Sequence, residues 1–108
     1  MFNEHLCPVF RALADPRRLS YIEGLLDGDV GLRDFAEIYP LSHSTVIHHL
    51  KVLEECGLLL GRKEGRLRLY TLQPDGLRQA YDWMARIVWR VYGIPPGSLL
   101  HALKPARS

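Results

Sequence analysis

A run of small polar and basic side chains between Ser42 and Lys51 is the part of this chain best equipped for chemistry. Two serines, a threonine, three histidines and a lysine fall within these ten residues. Hydroxyl, imidazole and ammonium groups can hydrogen-bond to base edges and phosphates, and imidazoles can also bind metal ions. The types of residue therefore indicate either a nucleic-acid contact or a metal site, and their spacing separates the two.

The histidine spacing argues against a metal site. His48 and His49 are adjacent, so on a helix their side chains point about 100° apart and cannot chelate one ion. The nearest other cluster, His5 with Cys7, offers too few ligands for zinc, which takes three or four. We therefore expect no metal site and no cofactor. We expect His49 to be a packing residue and His48 to be the better candidate for a DNA contact.

A helix must hold these polar groups in place. Ser42 is a suitable N-cap, and Gly57 suits the left-handed conformation that ends many helices. The inward positions recur at helical spacing: Val46, Leu50 and Leu53, with His49 beside them. The outward positions are Ser44, His48, Lys51 and Glu55, bordered by Thr45 and Ile47. From the helix alone, an ordinary solvated face explains this pattern as well as nucleic-acid recognition does.

A basic hairpin after the helix favours recognition. Leu58 to Leu60 begin a strand, and in the return run Leu67, Leu69 and Thr71 alternate with Arg66, Arg68 and Tyr70. Only Glu64 opposes the cations of this ribbon, which are Arg62, Lys63, Arg66 and Arg68. Phosphate contacts need cations on a projecting element. The net charge of the whole chain, +2, is too small to argue for nucleic acid by itself.

Several motifs in order resemble one family. Residues 12–19 (ALADPRRL), 41–53 (LSHSTVIHHLKVL), 54–58 (EECGL) and the Gly65 to Tyr70 wing are similar to the signatures of the ArsR/SmtB family of bacterial winged-helix repressors. The resemblance runs from about Phe10 to Leu72. Tyr39-Pro40 stands where the family usually has Leu-Gly.

The resemblance implies a mainly α fold with a small β-hairpin wing, that is, a homodimeric winged helix-turn-helix. Residues 1–93 would form this domain with its N- and C-terminal dimerisation helices, and residues 94–108 a proline-containing tail with a possible short helix. The expected DNA-binding residues are Ser42, His43, Ser44, Thr45, Ile47, His48, Lys51, Arg62, Lys63, Arg66 and Arg68.

The flanking segments supply the scaffold. Asp15 and Pro16 begin a helix expected to reach about Leu26, with Leu19, Ile22 and Leu26 facing inward. Leu32 to Tyr39 is a second, short helix, and a long helix runs from Pro74 or Asp75 to about Tyr92. The resemblance implies that the first and last helices form the dimer interface, and apolar patches agree with it: Val9, Phe10, Leu13, Leu77, Tyr81, Met84, Val88, Trp89 and Val91.

The sequence does not determine whether a metal ion, a thiol switch or a small effector controls the protein. The family's usual metal ligands are absent from residues 33–38 and from the last helix. A Cys7–Cys56 disulfide would need a closeness that no sequence feature indicates, so both are expected to be free thiols. An apolar effector beside Tyr81, Trp83, Trp89 and Tyr92 and a repressor without an effector are equally compatible with the sequence.

The sequence thus predicts a sequence-specific DNA-binding transcriptional regulator, a repressor by family default, with double-stranded DNA and a second copy of itself as partners. The alternative is a winged-helix module that binds proteins without specific DNA binding. No phosphate loop, nucleophile elbow or acid pair suggests an enzyme. No apolar run approaches the ~20 residues of a membrane span, and the N-terminus does not resemble a signal peptide, so we expect a cytoplasmic protein without a membrane partner.

Overall fold

Five α-helices and a small sheet make up the part of the chain that the computed structural model describes, residues 4–38 and 42–95. Tyr39-Pro40 and the possible tail helix lie outside those residues. The elements in chain order are α1 (Leu6–Leu13), α2 (Pro16–Gly24), β1 (Val30–Gly31), α3 (Leu32–Ile38), α4 (His43–Glu55), β2 (Leu59–Glu64), β3 (Leu67–Leu72) and α5 (Asp75–Tyr92). This order confirms the mainly α winged helix-turn-helix architecture. None of the described helices is long and apolar enough to cross a membrane.

The wing is the antiparallel β2–β3 hairpin, in which Gly61 pairs with Tyr70 and Lys63 with Arg68. The predicted alternation of the return strand is confirmed by this register. A third strand, β1, pairs with β3 on its other side and gives the order β1-β3-β2. The sequence did not indicate β1, because a two-residue strand is too short to show a period.

A polar side chain caps the N-terminus of α2 and that of α4, as predicted from the sequence. Asp15 Oδ1 accepts from the backbone N–H of Arg17 at 2.8 Å and of Arg18 at 3.4 Å. Partial burial raises the pKa of the Asp15 carboxyl, but these two backbone hydrogen bonds outweigh it, so the pKa lies below its ordinary value. Ser42 Oγ accepts from the backbone N–H of Thr45 at 3.2 Å. Both caps satisfy amide groups that a helix start leaves without partners.

The core lies between α4 and the helices around it. Val46, Leu50 and Leu53 are fully buried, as predicted. For α2 the predicted inward stripe is confirmed at Ile22 and wrong at its other two positions, since Leu19 is 45% exposed and Leu26 is 69% exposed. The helix ends at Gly24, before Leu26, and the buried side chains of this segment are Tyr21, Ile22 and Leu25. Arg18, Tyr21, Ile22 and Leu25 recur at helical spacing on the inward side, with Arg18 half-buried, so Leu19 lies outside that stripe.

The N-terminal end of α5 packs tightly against the end of α4. A Cβ at Gly76 would lie 2.9 Å from the Cys56 carbonyl oxygen and 3.0 Å from Leu58 Cδ2. Farther along, the rings of Phe10 and Trp83 meet edge to face, with their centroids 5.6 Å apart, and join α1 to α5. Glycine at position 76 therefore sets how closely α5 approaches the core.

Gly76→Ala is expected to destabilise the protein by about 1–3 kcal/mol, the usual cost of overpacking against atoms that cannot move away. Thermal or urea unfolding measures it. Gly24→Ala is the matched control, since a Cβ there meets nothing within 4 Å and its backbone conformation suits any residue. That variant should be neutral or gain up to about 1 kcal/mol. Equal losses in both variants would show that the close approach at Gly76 does not exist in solution.

Candidate nucleic-acid interface

A hydroxyl cluster forms the start of the outer face of α4. Ser42 Oγ lies 2.7 Å from Thr45 Oγ1 and 3.3 Å from Ser44 Oγ. Among the predicted contact residues of this helix, Thr45 is half-buried and the others are exposed: Ser42, His43, Ser44, Ile47, His48 and Lys51. The helix therefore presents short donors and acceptors to the solvent on a rigid support, which suits base edges and phosphates.

The second half of that face borders the wing. Ile47 and Lys51 of α4 line a cleft of about 420 Å³ with Arg68 and Tyr70 of β3. Two carboxylates, Glu54 and Glu55, also line it. The outer face of α4 and the inner face of the wing therefore form one continuous surface, across which a single polyanion could lie.

Lys63 and Arg66 are the available cations of the wing. Both are exposed at the hairpin tip, and the described residues offer neither of them an ion-pair partner. Gly65 makes the turn between them with φ of 61°, a left-handed conformation that favours glycine. The two side chains can therefore approach phosphates without first breaking a bond within the protein.

Arg62, which the sequence analysis grouped with those cations, is already engaged. Its Nη2 lies 2.5 Å from Asp29 Oδ2, and its Nη1 donates to Thr71 Oγ1 at 2.7 Å. The Thr71 hydroxyl in turn donates to Asp29 Oδ1 at 2.9 Å. The hydrogen bond from Arg62 lowers the pKa of Asp29, and the same bond raises that of Arg62. This triad ties the wing to the turn before β1.

Arg68 is also engaged, by a contact with α4, although its side chain is 41% exposed. Its Nη2 lies 3.7 Å from Glu54 Oε2, and its guanidinium carbon lies 5.7 Å from the centre of the Tyr70 ring. Gly61 leaves the space for this arrangement, because a Cβ there would lie 2.8 Å from Arg68 Nη2. Among the described residues, two of the four predicted wing cations, Lys63 and Arg66, have no ion-pair partner, and the other two pair with acidic side chains outside the hairpin.

His49 lies inside the protein, as expected for a packing residue. It is 6% exposed and forms an edge-to-face contact with Tyr21. Its Nδ1 lies 3.1 Å from Arg18 Nη1. Burial lowers the pKa of the imidazole. No local feature of the sequence indicated a role for Arg18, because its partner on α4 is 31 residues away.

The apolar side of α5 faces outward in the single chain. Met84 is 45% exposed, Trp89 and Val91 are also exposed, and Leu77, Tyr81 and Val88 are half-buried. The α1 part of the predicted dimer patch differs. Val9 is 4% exposed and belongs to the core of its own chain, against which Phe10 and Leu13 also pack. Val9 therefore cannot contribute the surface that the sequence analysis assigned to it, since α1 uses this side to cover α4 and α5.

The two cysteines are free thiols. Cys56 Sγ lies 3.3 Å from the Pro8 carbonyl oxygen, so α1 approaches the end of α4, a proximity that the sequence did not indicate. Burial raises the pKa of the Cys56 thiol, which makes it less reactive. Within residues 4–38 and 42–95, no three His, Cys, Asp or Glu side chains are grouped closely enough to hold a metal ion.

Comparisons with known proteins agree with this geometry. The family described as "Bacterial regulatory protein, arsR family" matches residues 15–59. The transcriptional repressor SdpR of Bacillus subtilis is 29% identical over 80 residues, which are 74% of this chain and 89% of SdpR. The HTH-type transcriptional regulator CmtR of Mycobacterium bovis is 37% identical over 91 residues, 84% of this chain and 77% of CmtR.

A solved structure gives the same picture. The ArsR family transcriptional regulator RHA00566 superposes with a TM-score of 0.75 at 25% identity, and the match covers 83% of this chain and 95% of that one. In three other curated relatives the matched segment spans 60–64% of their own length. The names of these relatives describe regulators of transcription.

Proposed function

Because the chain belongs to the arsR family of bacterial regulatory proteins, we propose that it represses transcription as a homodimer that binds a palindromic operator. The observation that carries this proposal is the continuous surface between the exposed polar face of α4 and the wing, whose available cations are Lys63 and Arg66. The proposed site of action is the cytoplasm, where the chromosome lies.

Each element of this surface has a part in recognition. Ser44, Thr45 and His48 would contact base edges in the major groove, and Ile47, which is 40% exposed, would contact a thymine methyl group. The phosphate contacts would come from His43 and Lys51 on α4 and from Lys63 and Arg66 on the wing. Arg62 and Arg68 would keep the wing at its angle to α4.

A second copy of the chain is the proposed partner of α5. Leu77, Tyr81, Met84, Val88 and Val91 follow one another at spacings of four and three residues, which is the apolar repeat of paired helices. Since these side chains are exposed or half-buried in the single chain, pairing two α5 helices would remove them from water. A two-fold dimer would present two α4 helices to half-sites about one DNA turn apart.

Binding to the DNA upstream of its own gene, measured across a salt series, tests the proposal. The Lys and Arg side chains among these phosphate contacts, which are Lys51, Lys63 and Arg66, predict a slope of log affinity against log salt of about −5 for a dimer. Shuffled DNA of the same composition is the control and should bind more weakly by about 10³-fold or more. A flat salt response, or no binding at low salt, would favour a protein-binding module instead.

A further inference from the structure

Arg18 joins three helices through a single guanidinium. It lies on α2, and its Nε donates to the Ala12 carbonyl oxygen at 2.6 Å while its Nη2 donates to that of Arg11 at 3.3 Å. Both acceptors belong to the last turn of α1, where a cation is favoured, and the Arg11 carbonyl also accepts from the backbone N–H of Ala14 at 3.2 Å. The remaining nitrogen, Nη1, lies 3.1 Å from Nδ1 of His49 on α4.

The contact with His49 fixes the state of the imidazole. A guanidinium can only donate, so Nδ1 must accept and the ring must be neutral, with its proton on Nε2. Nε2 is buried, and the described residues provide it with no hydrogen-bond partner. The ring is therefore held chiefly from one side, by Arg18.

We propose that Arg18 is a positioning residue for DNA recognition, which fixes the recognition helix α4 against the end of α1 through neutral His49. This inference rests on the proposed function. α1 packs against α5, the proposed dimer helix, and the rings of Phe10 and Trp83 join the two. The guanidinium thus links the helix that reads DNA to the helices that set the distance between the two half-sites.

The charges around His49 make this contact sensitive to its protonation. Asp15, the cap of α2, favours the charged form of the His49 ring. Arg18 and Arg17 of α2 and His48 of α4 disfavour that form. The other charged side chains of α1, α3 and β2 lie at or near the surface. Arg62 of β2 is half-buried, and the exposed ones are Arg11 of α1, Arg33, Asp34 and Glu37 of α3, and Lys63 and Glu64 of β2. A proton on His49 would remove the acceptor and set two cations together.

Three variants separate positioning from simple phosphate binding. Arg18→Met keeps the apolar stem and removes every donor, and Arg18→Lys keeps the charge but cannot reach three acceptors on two helices. Arg17→Met is the matched control, because it removes the adjacent, exposed arginine of the same helix. Operator affinity should fall roughly tenfold or more in both Arg18 variants and less than about twofold in the control. The salt slope should not change in the Arg18 variants, since Arg18 releases no counterion.

Half-site spacing gives a readout that a loss of stability would not produce. Inserting one base pair between the half-sites rotates one against the other, and the wild type should lose much of its affinity. Arg18→Met should tolerate the insertion better, because α4 is no longer held in one place. The inference is overturned if Arg18→Met matches Arg17→Met in affinity and in sensitivity to spacing while the wild type binds its operator.

Nuclear magnetic resonance of the His49 ring tests the contact itself, with or without DNA. The wild-type ring should carry its proton on Nε2 and titrate below the ordinary pKa of about 6.5. The midpoint should rise in Arg18→Met, and by less in Arg17→Met. An unchanged midpoint would overturn the inference even if the Met variant proved too unstable for DNA binding. A wild type that binds no DNA would overturn the proposed function, and the inference with it, whatever the ring shows.

Discussion

Replacing Met84 with glutamate is expected to split the dimer and to weaken operator binding by about two orders of magnitude or more. Met84 lies in the middle of the apolar stripe of α5, where it is 45% exposed in the single chain. In a two-fold dimer each carboxylate would face the apolar stripe of the other α5, and a buried charge without a partner costs several kcal/mol. A separated protomer also loses the gain from binding two linked half-sites, about 10²- to 10⁴-fold.

Gln79→Glu is the matched control. It makes the same change of charge on the same helix, at an exposed position on the side opposite Met84. Analytical ultracentrifugation should show a dimer for the wild type and the control and a monomer for Met84→Glu, with circular dichroism confirming that all three are folded. If Met84→Glu remained a dimer with normal operator affinity, the stripe on α5 would not be the interface.

The second large effect is expected from removing both exposed cations of the wing. Each phosphate contact contributes about 0.9 to the slope of log affinity against log salt. Lys63→Ala with Arg66→Ala removes four such contacts from a dimer, so the slope should flatten by about 3 to 4. Affinity at physiological salt should fall by about two to three orders of magnitude, and the fall should be similar on operator and on shuffled DNA because phosphates carry no sequence.

Arg62→Ala provides the contrast within the same hairpin. Its guanidinium is held by Asp29 and Thr71, so its loss should leave the salt slope nearly unchanged and lower affinity only by loosening the wing. The measurement is the same salt series. A flattening by Arg62→Ala as large as that of Lys63→Ala would mean that the Asp29 pair opens on DNA and that Arg62 is a phosphate contact after all.

Local features of the sequence were the ones that could be predicted. Ser42 and Asp15 cap their helices by accepting from backbone N–H groups only two or three residues away, and the spacing of Val46, Leu50 and Leu53 requires only a helical period. The hairpin follows from its alternation and its glycines. Each of these depends on neighbours in the chain, and so each can be inferred from a few consecutive residues.

Contacts between distant residues were not predictable from the same patterns. The partner of Arg62 lies 33 residues away in a turn, and that of Arg18 lies 31 residues away on another helix. Strand alternation puts the side chains of Arg62 and Lys63 on opposite faces of the hairpin, but no local rule identifies Asp29 as the partner of Arg62. Arg18 shows the same difficulty, since it is half-buried while its neighbour Leu19, which was expected to face inward, is exposed.

These long-range pairs give the basic residues of the chain different tasks. Lys63 and Arg66 are the proposed phosphate contacts, Arg62 and Arg68 contact acidic side chains of other elements, and Arg18 contacts α1 and α4. The net charge of +2 does not reveal these differences between the basic residues. Counting the basic residues of the sequence would therefore overestimate the number of phosphate contacts. The change of salt slope in each single variant is expected to show which side chains make such a contact.

The most direct test of the dimeric operator-binding account is a footprint of the protein on the DNA upstream of its own gene. The account predicts two protected half-sites of a palindrome, about one helical turn apart on one face of the DNA. Met84→Glu should lose both half-sites together, while Gln79→Glu should keep them. A single protected half-site with normal affinity, or no protection at low salt, would contradict the account.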